Sequence, residues 1–294
     1  MPTGTVTLPA VKRPPWLWLK LLALALALIG LVMLRVPGAV REYVYVLFRE
    51  IVRGQVILST RNMDTISDQH FLIRYEPSDA ADARMILHTA DKFYAPVTRD
   101  FGLRIGQRIP IIVYPTRASL NASFGWPASE SAMGVYWAGV IRVLSPRAWV
   151  ASDDPGEIKE AFESSGPVAH EMTHLVVDYI TRGNVPRWLT EGLAQAEEKK
   201  LTGFRFDSPQ GSLAQPLYHL AEMDRGFDQL PNQALAYRES LSAVDYMKKV
   251  YGDQAVHNIL RVLGTGRDIN RAMQSALGVD LKQFEQRWRQ SIGH

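Results

Sequence analysis

The 294-residue chain contains no cysteine, which excludes a disulfide framework, a thiolate-bound metal and a cysteine nucleophile. It has no repeat and no low-complexity run, and at 47% hydrophobic and 21% charged its composition is that of a folded protein. Acidic residues are missing from the first 35 positions, which hold Lys12, Arg13, Lys20 and Arg35. Setting those four aside leaves 29 basic against 30 acidic residues, a net charge of −1, so the pI of 9.0 belongs to the N-terminus. A nucleic-acid partner, which needs Lys and Arg clustered on the folded part, is therefore not expected.

Charge is also missing from Leu21 to Leu34, a run of 14 apolar residues. As a helix this run is about 21 Å long, short of a hydrocarbon core of about 30 Å. Counted from Trp16 the span is 19 residues, about 28 Å if the Lys20 amine snorkels to the headgroups. Trp16 and Trp18 then sit where interfacial aromatics belong. Span and belt favour an uncleaved single-pass transmembrane anchor, with the rest of the chain extracytoplasmic. The competing reading is a cleaved signal peptide, with Val36 and Gly38 before the cut. Lys and Arg nearly balance on the two flanks, so the positive-inside rule does not fix orientation.

Beyond the anchor, Val40, Val44, Leu47, Phe48 and Ile51 recur at helical spacing, opposite Arg41, Glu42, Arg49, Glu50 and Arg53. This fits an amphipathic juxtamembrane helix, although YVYVLF also suits a strand. HFLIRYEP (70–77) and RIPIIVYP (108–115) read as strands. Between them a helix from Ser78 aligns Ile86, Ala90, Phe93, Val97 and Phe101, with Pro96 near its end and Gly102 as its stop. GVYWAGVIRVLSP (134–146) reads as a hairpin turning at Ala138–Gly139, and Val140 to Leu144 is a candidate for backbone pairing with an extended substrate. From about Glu157 the pattern is helical to the end, with Gly252, Gly264 and Gly278 as stops. The expectation is an α+β fold with four parts: anchor 1–35, juxtamembrane segment 36–67, mixed α/β lobe 68–150, and helical lobe 151–294.

The stretch GPVAHEMTHLVVDYITRGNVPRWLTEGLAQAEE (166–198) carries the chemistry. Gly166 or Ser165 can cap a helix there, Pro167 suits its first turn, and Arg182–Gly183 closes it. His170 and His174 are four apart, so both imidazoles leave one helix face about one turn apart. Two neutral imidazoles so placed can share a zinc ion. Glu171 is offset by roughly 100° and falls beside such an ion, where the base for a water belongs. A catalytic zinc wants three protein ligands and one open position. The long motif with a third histidine on the same helix is excluded, because it needs a glycine and a histidine where this chain has Val177 and Ile180. Glu191, on the next helix across a short loop, and Asp178, one turn past His174, are the rival third ligands. Glu191 as a plain surface acid is the remaining alternative.

HEMTH followed by WLTEGLAQAEE resembles the gluzincin peptidases, in particular the peptidase MA-like family related to the M1 aminopeptidases. YRESLSAVDYMKKVYG (237–252) resembles the stretch where those enzymes carry an oxyanion-stabilising tyrosine, and GVYWAGVIRVLSP the edge strand before the active-site helix. The likeness covers roughly residues 68–292. It implies a zincin-like fold, a peptide or protein substrate, zinc held by His170, His174 and Glu191, Glu171 as base and Tyr237 as oxyanion donor. The glycine-rich amine-binding motif of the aminopeptidases is not evident, so their specificity does not carry over. Tyr218, Tyr246 and Tyr251 lie near Tyr237, and tyrosines on amphipathic helices commonly serve packing. His88 and His219 read as packing or surface residues. The non-enzymatic alternative is a membrane-tethered binding module that keeps a zinc-ordered fold.

Overall fold

The computed structural model describes residues 38–127, 131–206 and 208–294, so the apolar run and its tryptophans lie outside the described residues. Helix α1 (Gly38–Ser59) leads into strands β1 (Asp64–Ser67) and β2 (Phe71–Tyr75). Helix α2 (Ala80–Asp100) then crosses to β3 (Ile109–Tyr114), and the short α3 (Arg117–Ala122) precedes a hairpin of β4 (Gly134–Trp137) and β5 (Val140–Leu144). The sheet order is β1-β2-β3-β5-β4, with β2, β3 and β5 mutually parallel and the two outer strands antiparallel. β3 is paired on both sides and reads IPIIVY, the continuous apolar run of a strand covered on both faces. The hairpin turns at Ala138 (φ 47°) and Gly139 (φ 83°), a two-residue left-handed turn that matches strand twist.

The sheet order corrects one expectation. Val140–Leu144 is an interior strand, hydrogen-bonded to β3 and β4, and every residue of it is buried. The free edge belongs to β4. A hairpin pattern in sequence does not say which of its two strands meets the rest of the sheet.

Eight α-helices follow among the described residues: α4 (Pro155–Ser165), α5 (Val168–Thr181), α6 (Arg187–Thr202), α7 (Leu220–Gly226), α8 (Gln233–Tyr251), α9 (Asp253–Leu263), and the α10–α11 pair (Ile269–Leu277, Leu281–Ser291). Asp154 caps α4 through the N–H groups of Gly156 and Glu157. Gly166 ends α4 and does not cap α5: a Cβ there would lie 2.3 Å from the Phe162 carbonyl oxygen. Pro167 opens α5 with no side-chain cap, and Arg182 (φ 55°) closes it. Gly252, Gly264 and Gly278 stand at helix ends as their spacing predicts.

α2 packs on β2 and α5, and α5 lies against α6 and the hairpin. α6 meets α8 at very close range, because a Cβ on Gly192 would sit 2.3 Å from the Ser240 carbonyl oxygen. One apolar core runs from Phe71 of β2 to Trp288 of α11, with Trp188, Phe162 and Phe284 among its fully buried side chains. Each such side chain contributes about 1.5–3 kcal/mol by leaving water. Helices α5 and α6, which carry the candidate ligands, are thereby embedded in packed surroundings, not displayed on a loop.

Candidate metal centre

α5 and α6 run antiparallel across the Arg182–Pro186 turn, which brings His170, His174 and Glu191 together. One potential ligand atom from each lies within 4.8 Å of the others. The Nε2 atoms of His170 and His174 stand 3.4 and 3.6 Å from the same Glu191 oxygen, Oε2. Behind them, His170 Nδ1 meets Glu198 Oε2 at 3.2 Å and His174 Nδ1 meets Thr190 Oγ1 at 2.7 Å. With the ring hydrogens on Nδ1, both Nε2 lone pairs point at Glu191, the tautomer that metal ligation requires.

Glu191 is 1% exposed, and its Oε2 has no hydrogen-bond partner. Its Oε1 is paired to Arg187 Nη2 at 3.0 Å. Burial pushes Glu191 towards its neutral form, but His174, Arg187 and His170 outweigh this and hold its pKa well below the usual carboxylate range. Burial likewise opposes charge on His170, while the adjacent carboxylates of Glu191 and Glu198 hold its pKa well above the usual histidine value. A buried carboxylate with one oxygen aimed between two imidazoles is costly alone and suited to a cation. Two imidazoles and a carboxylate are also a donor set that zinc accepts.

Asp178 does not join this cluster. Its Oδ2 takes Arg49 Nη1 of α1 at 3.1 Å and the Tyr136 hydroxyl of β4, so its charge is spent on structure. Glu171 is buried beside the histidines, and its Oε2 accepts the backbone N–H of Tyr136 on the free edge strand at 2.6 Å. The strand comes this close because Gly134 has no side chain: a Cβ would lie 2.5 Å from Pro167 Cβ and 3.0 Å from Glu171 Cγ.

A cavity of about 210 Å³ opens over the cluster, lined by His170, Glu171, Glu198 and Tyr237 with Met133, Phe204 and Phe206. Tyr237 reaches it from the start of the second turn of α8, its ring edge-on to Phe227 at 5.3 Å. The negative charge of Glu191, followed by burial, raises its phenol above the ordinary tyrosine value. His88 is exposed on α2, and His219 pairs with Glu285 at 2.8 Å, away from the cluster.

Arg187, Thr190 and Glu198 support the cluster without having been expected. The signal was partly present: Glu191, Gln195 and Glu198 repeat at helical spacing one turn after the exposed Arg187, and a polar stripe buried in this way needs partners. The Peptidase MA superfamily model matches residues 89–294, and no curated protein matches the chain. That stretch includes the two-histidine helix, Glu191 and Tyr237 and exceeds half the chain, so the chain belongs to the peptidase MA superfamily.

Proposed function

We propose that this chain is a membrane-anchored zinc metallopeptidase, tethered through residues 16–34 with its folded part outside the cytoplasm. His170, His174 and Glu191 hold the metal, Glu171 is the general base and Tyr237 the oxyanion donor. The observation that carries the reading is Glu191 Oε2, buried without a hydrogen bond between two histidine Nε2 atoms.

A zinc ion there would polarise the scissile carbonyl and make water a nucleophile at neutral pH. Glu171 takes a proton from the attacking water and delivers it to the leaving amine. The Tyr136 N–H fixes Glu171 by Oε2, leaving Oε1 for that transfer. Tyr237 places its hydroxyl donor in the same cavity, where negative charge develops on the carbonyl oxygen. β4 pairs with β5 on one side only, so an extended peptide can add along its other edge, next to Glu171.

Glu171→Gln tests this mechanism. It keeps the shape and the acceptor for Tyr136 but removes the base. Zinc content and thermal midpoint should stay as in the wild type, while peptide hydrolysis falls by about 10²–10⁴. Equal cleavage by both proteins would rule out Glu171 as base. A zinc-loaded wild type that cleaves no peptide in a proteome-derived library would instead be a tethered binding module.

A further inference from the structure

Helix α1 is amphipathic in the reverse sense. Of the eleven large apolar side chains exposed among the described residues, seven lie on α1. Tyr43, Leu47, Ile51 and Leu58 are each at least 60% exposed. An eighth, Trp137, leaves the tip of the β4–β5 hairpin to pack edge-on against Phe48, with ring centroids 5.9 Å apart. The charged side turns inward. Arg49 is 5% exposed, pairs with Asp178, and lies 3.7 Å above the Tyr179 ring, while Arg53 reaches the Arg108 carbonyl at 2.8 Å. A surface helix ordinarily buries its apolar stripe. One that exposes it, continuous with an indole from another element, marks an interaction surface.

A second copy and a lipid surface both have the chemistry to cover this face. Val40, Val44, Leu47, Ile51, Gly54 and Leu58 alternate at four and three residues, as a coiled-coil seam does. However, of the six positions flanking that seam, where a coiled coil carries Glu and Lys, three hold Tyr43, Phe48 and Ile57 beside Arg41, Glu50 and Gln55. The apolar surface is broader than a seam, is rimmed by aromatic side chains, and extends beyond the helix onto Trp137. Those are the properties of a surface seated at a bilayer interface. The upstream chain agrees: Gly38 follows Leu34, the end of the apolar run, by four residues, a reach of at most about 14 Å.

We infer that α1 lies flat on a lipid bilayer, with its Val44–Leu47–Ile51–Leu58 face and Trp137 seated at the boundary between headgroups and acyl chains. The docking itself rests on the proposed anchor for tethering, and the substrate class it implies rests also on the proposed peptidase reading. It deepens the functional reading by naming a substrate class. Trp137 adjoins Tyr136, the residue bonded to Glu171, so one end of the edge strand meets the membrane surface. The substrates are extended segments of proteins lying on or emerging from that membrane.

The cysteine-free sequence allows a direct test with the full chain. Leu47→Cys, Ile51→Cys and, as a solvent control, Glu76→Cys are each nitroxide-labelled. The labelled chains are reconstituted into phosphatidylcholine–phosphatidylglycerol vesicles. Power saturation compares collisions with oxygen, which enters lipid, and with a water-soluble nickel chelate. Labels at 47 and 51 should meet oxygen severalfold more than nickel, and the label at 76 the reverse. Water-like values at 47 and 51 in chains that float with the vesicles would overturn the inference while leaving the anchor intact. Dipolar broadening between labels on separate chains would overturn it in favour of a second copy. Chains that fail to float would overturn docking and anchoring together. Zinc content, measured on the same samples, reports separately on the metal centre.

Discussion

The backbone N–H of Tyr136 donates to Glu171 Oε2 at 2.6 Å, and the phenol of the same residue donates to Asp178, two turns further along α5. The edge strand is thus clipped to the two-histidine helix at two points, one at the proposed base and one at a structural acid. Asp178 also binds Arg49, so three elements converge on it.

That division of labour gives the first prediction. Glu191→Ala should abolish zinc retention through dialysis, measured by elemental analysis. Asp178→Ala should keep about one zinc per chain but lose about 3–5 kcal/mol of stability, because Arg49 is left buried without its partner. Zinc lost from Asp178→Ala and kept by Glu191→Ala, in samples that remain folded by circular dichroism, would transfer the third ligand to Asp178.

The oxygens behind the histidines give the second. Thr190→Val removes the partner of His174 Nδ1, and Glu198→Gln weakens that of His170 Nδ1. Each should lower zinc affinity by about 10–100-fold in competition with a chromophoric chelator, since such partners fix ring orientation and tautomer. Unchanged affinity in both variants would deny the pair any positioning role.

The cluster was legible in sequence to the extent that helix geometry dictates it. Four-residue spacing fixes two imidazoles on one face of α5, and a short turn returns Glu191 beside them. What the pattern could not rank was Glu191 against Asp178, because the occupation of Asp178 by Arg49 and Tyr136 depends on contacts 129 and 42 residues apart. Thr190 is invisible for the same reason, being a contact between helices, and Glu198 shows in sequence only as a member of a polar stripe, not as the partner of His170. Strand order is equally non-local, hence the assignment of the free edge to Val140–Leu144 in place of β4. For α1, periodicity separated an apolar from a charged face but gave no sign of which points inward. An ion pair with a buried acid decided that, against the usual rule.

Glu239 supplies a prediction in pH. It is fully buried on α8, with Oε1 accepting the Tyr218 N–H at 3.0 Å and Oε2 without a partner. Burial raises its carboxyl pKa from 4.5 to about 7, with Glu285 and Glu222 adding to the rise and the Tyr218 N–H and Arg289 opposing it. Below the lower value the group is protonated folded or unfolded and costs nothing. Between the two values only the unfolded chain ionises, so stability declines as pH rises, and above the upper value the penalty is complete. Its size is about 3 kcal/mol, from about 1.4 kcal/mol per pKa unit. Glu239→Gln should therefore raise the thermal midpoint clearly at pH 8 and little at pH 5. An equal change at both pH values would contradict a raised carboxyl.

The Arg49–Asp178 pair has a consequence for where this protein can be cut. The stretch shared with the superfamily starts at residue 89, inside α2. A fragment expressed to that limit would sever α2 and discard Phe71 and Ile73, both fully buried, exposing β3 along its length. It would also leave Asp178 charged in the interior without its cation. Arg49, Phe71 and Ile73 are all buried in the fold and all lie upstream of the matched stretch, so a folding fragment is expected to need residues from α1 onward. Deletions that trim α1 as a dispensable linker should yield insoluble protein, although they leave every residue of the candidate metal centre in place.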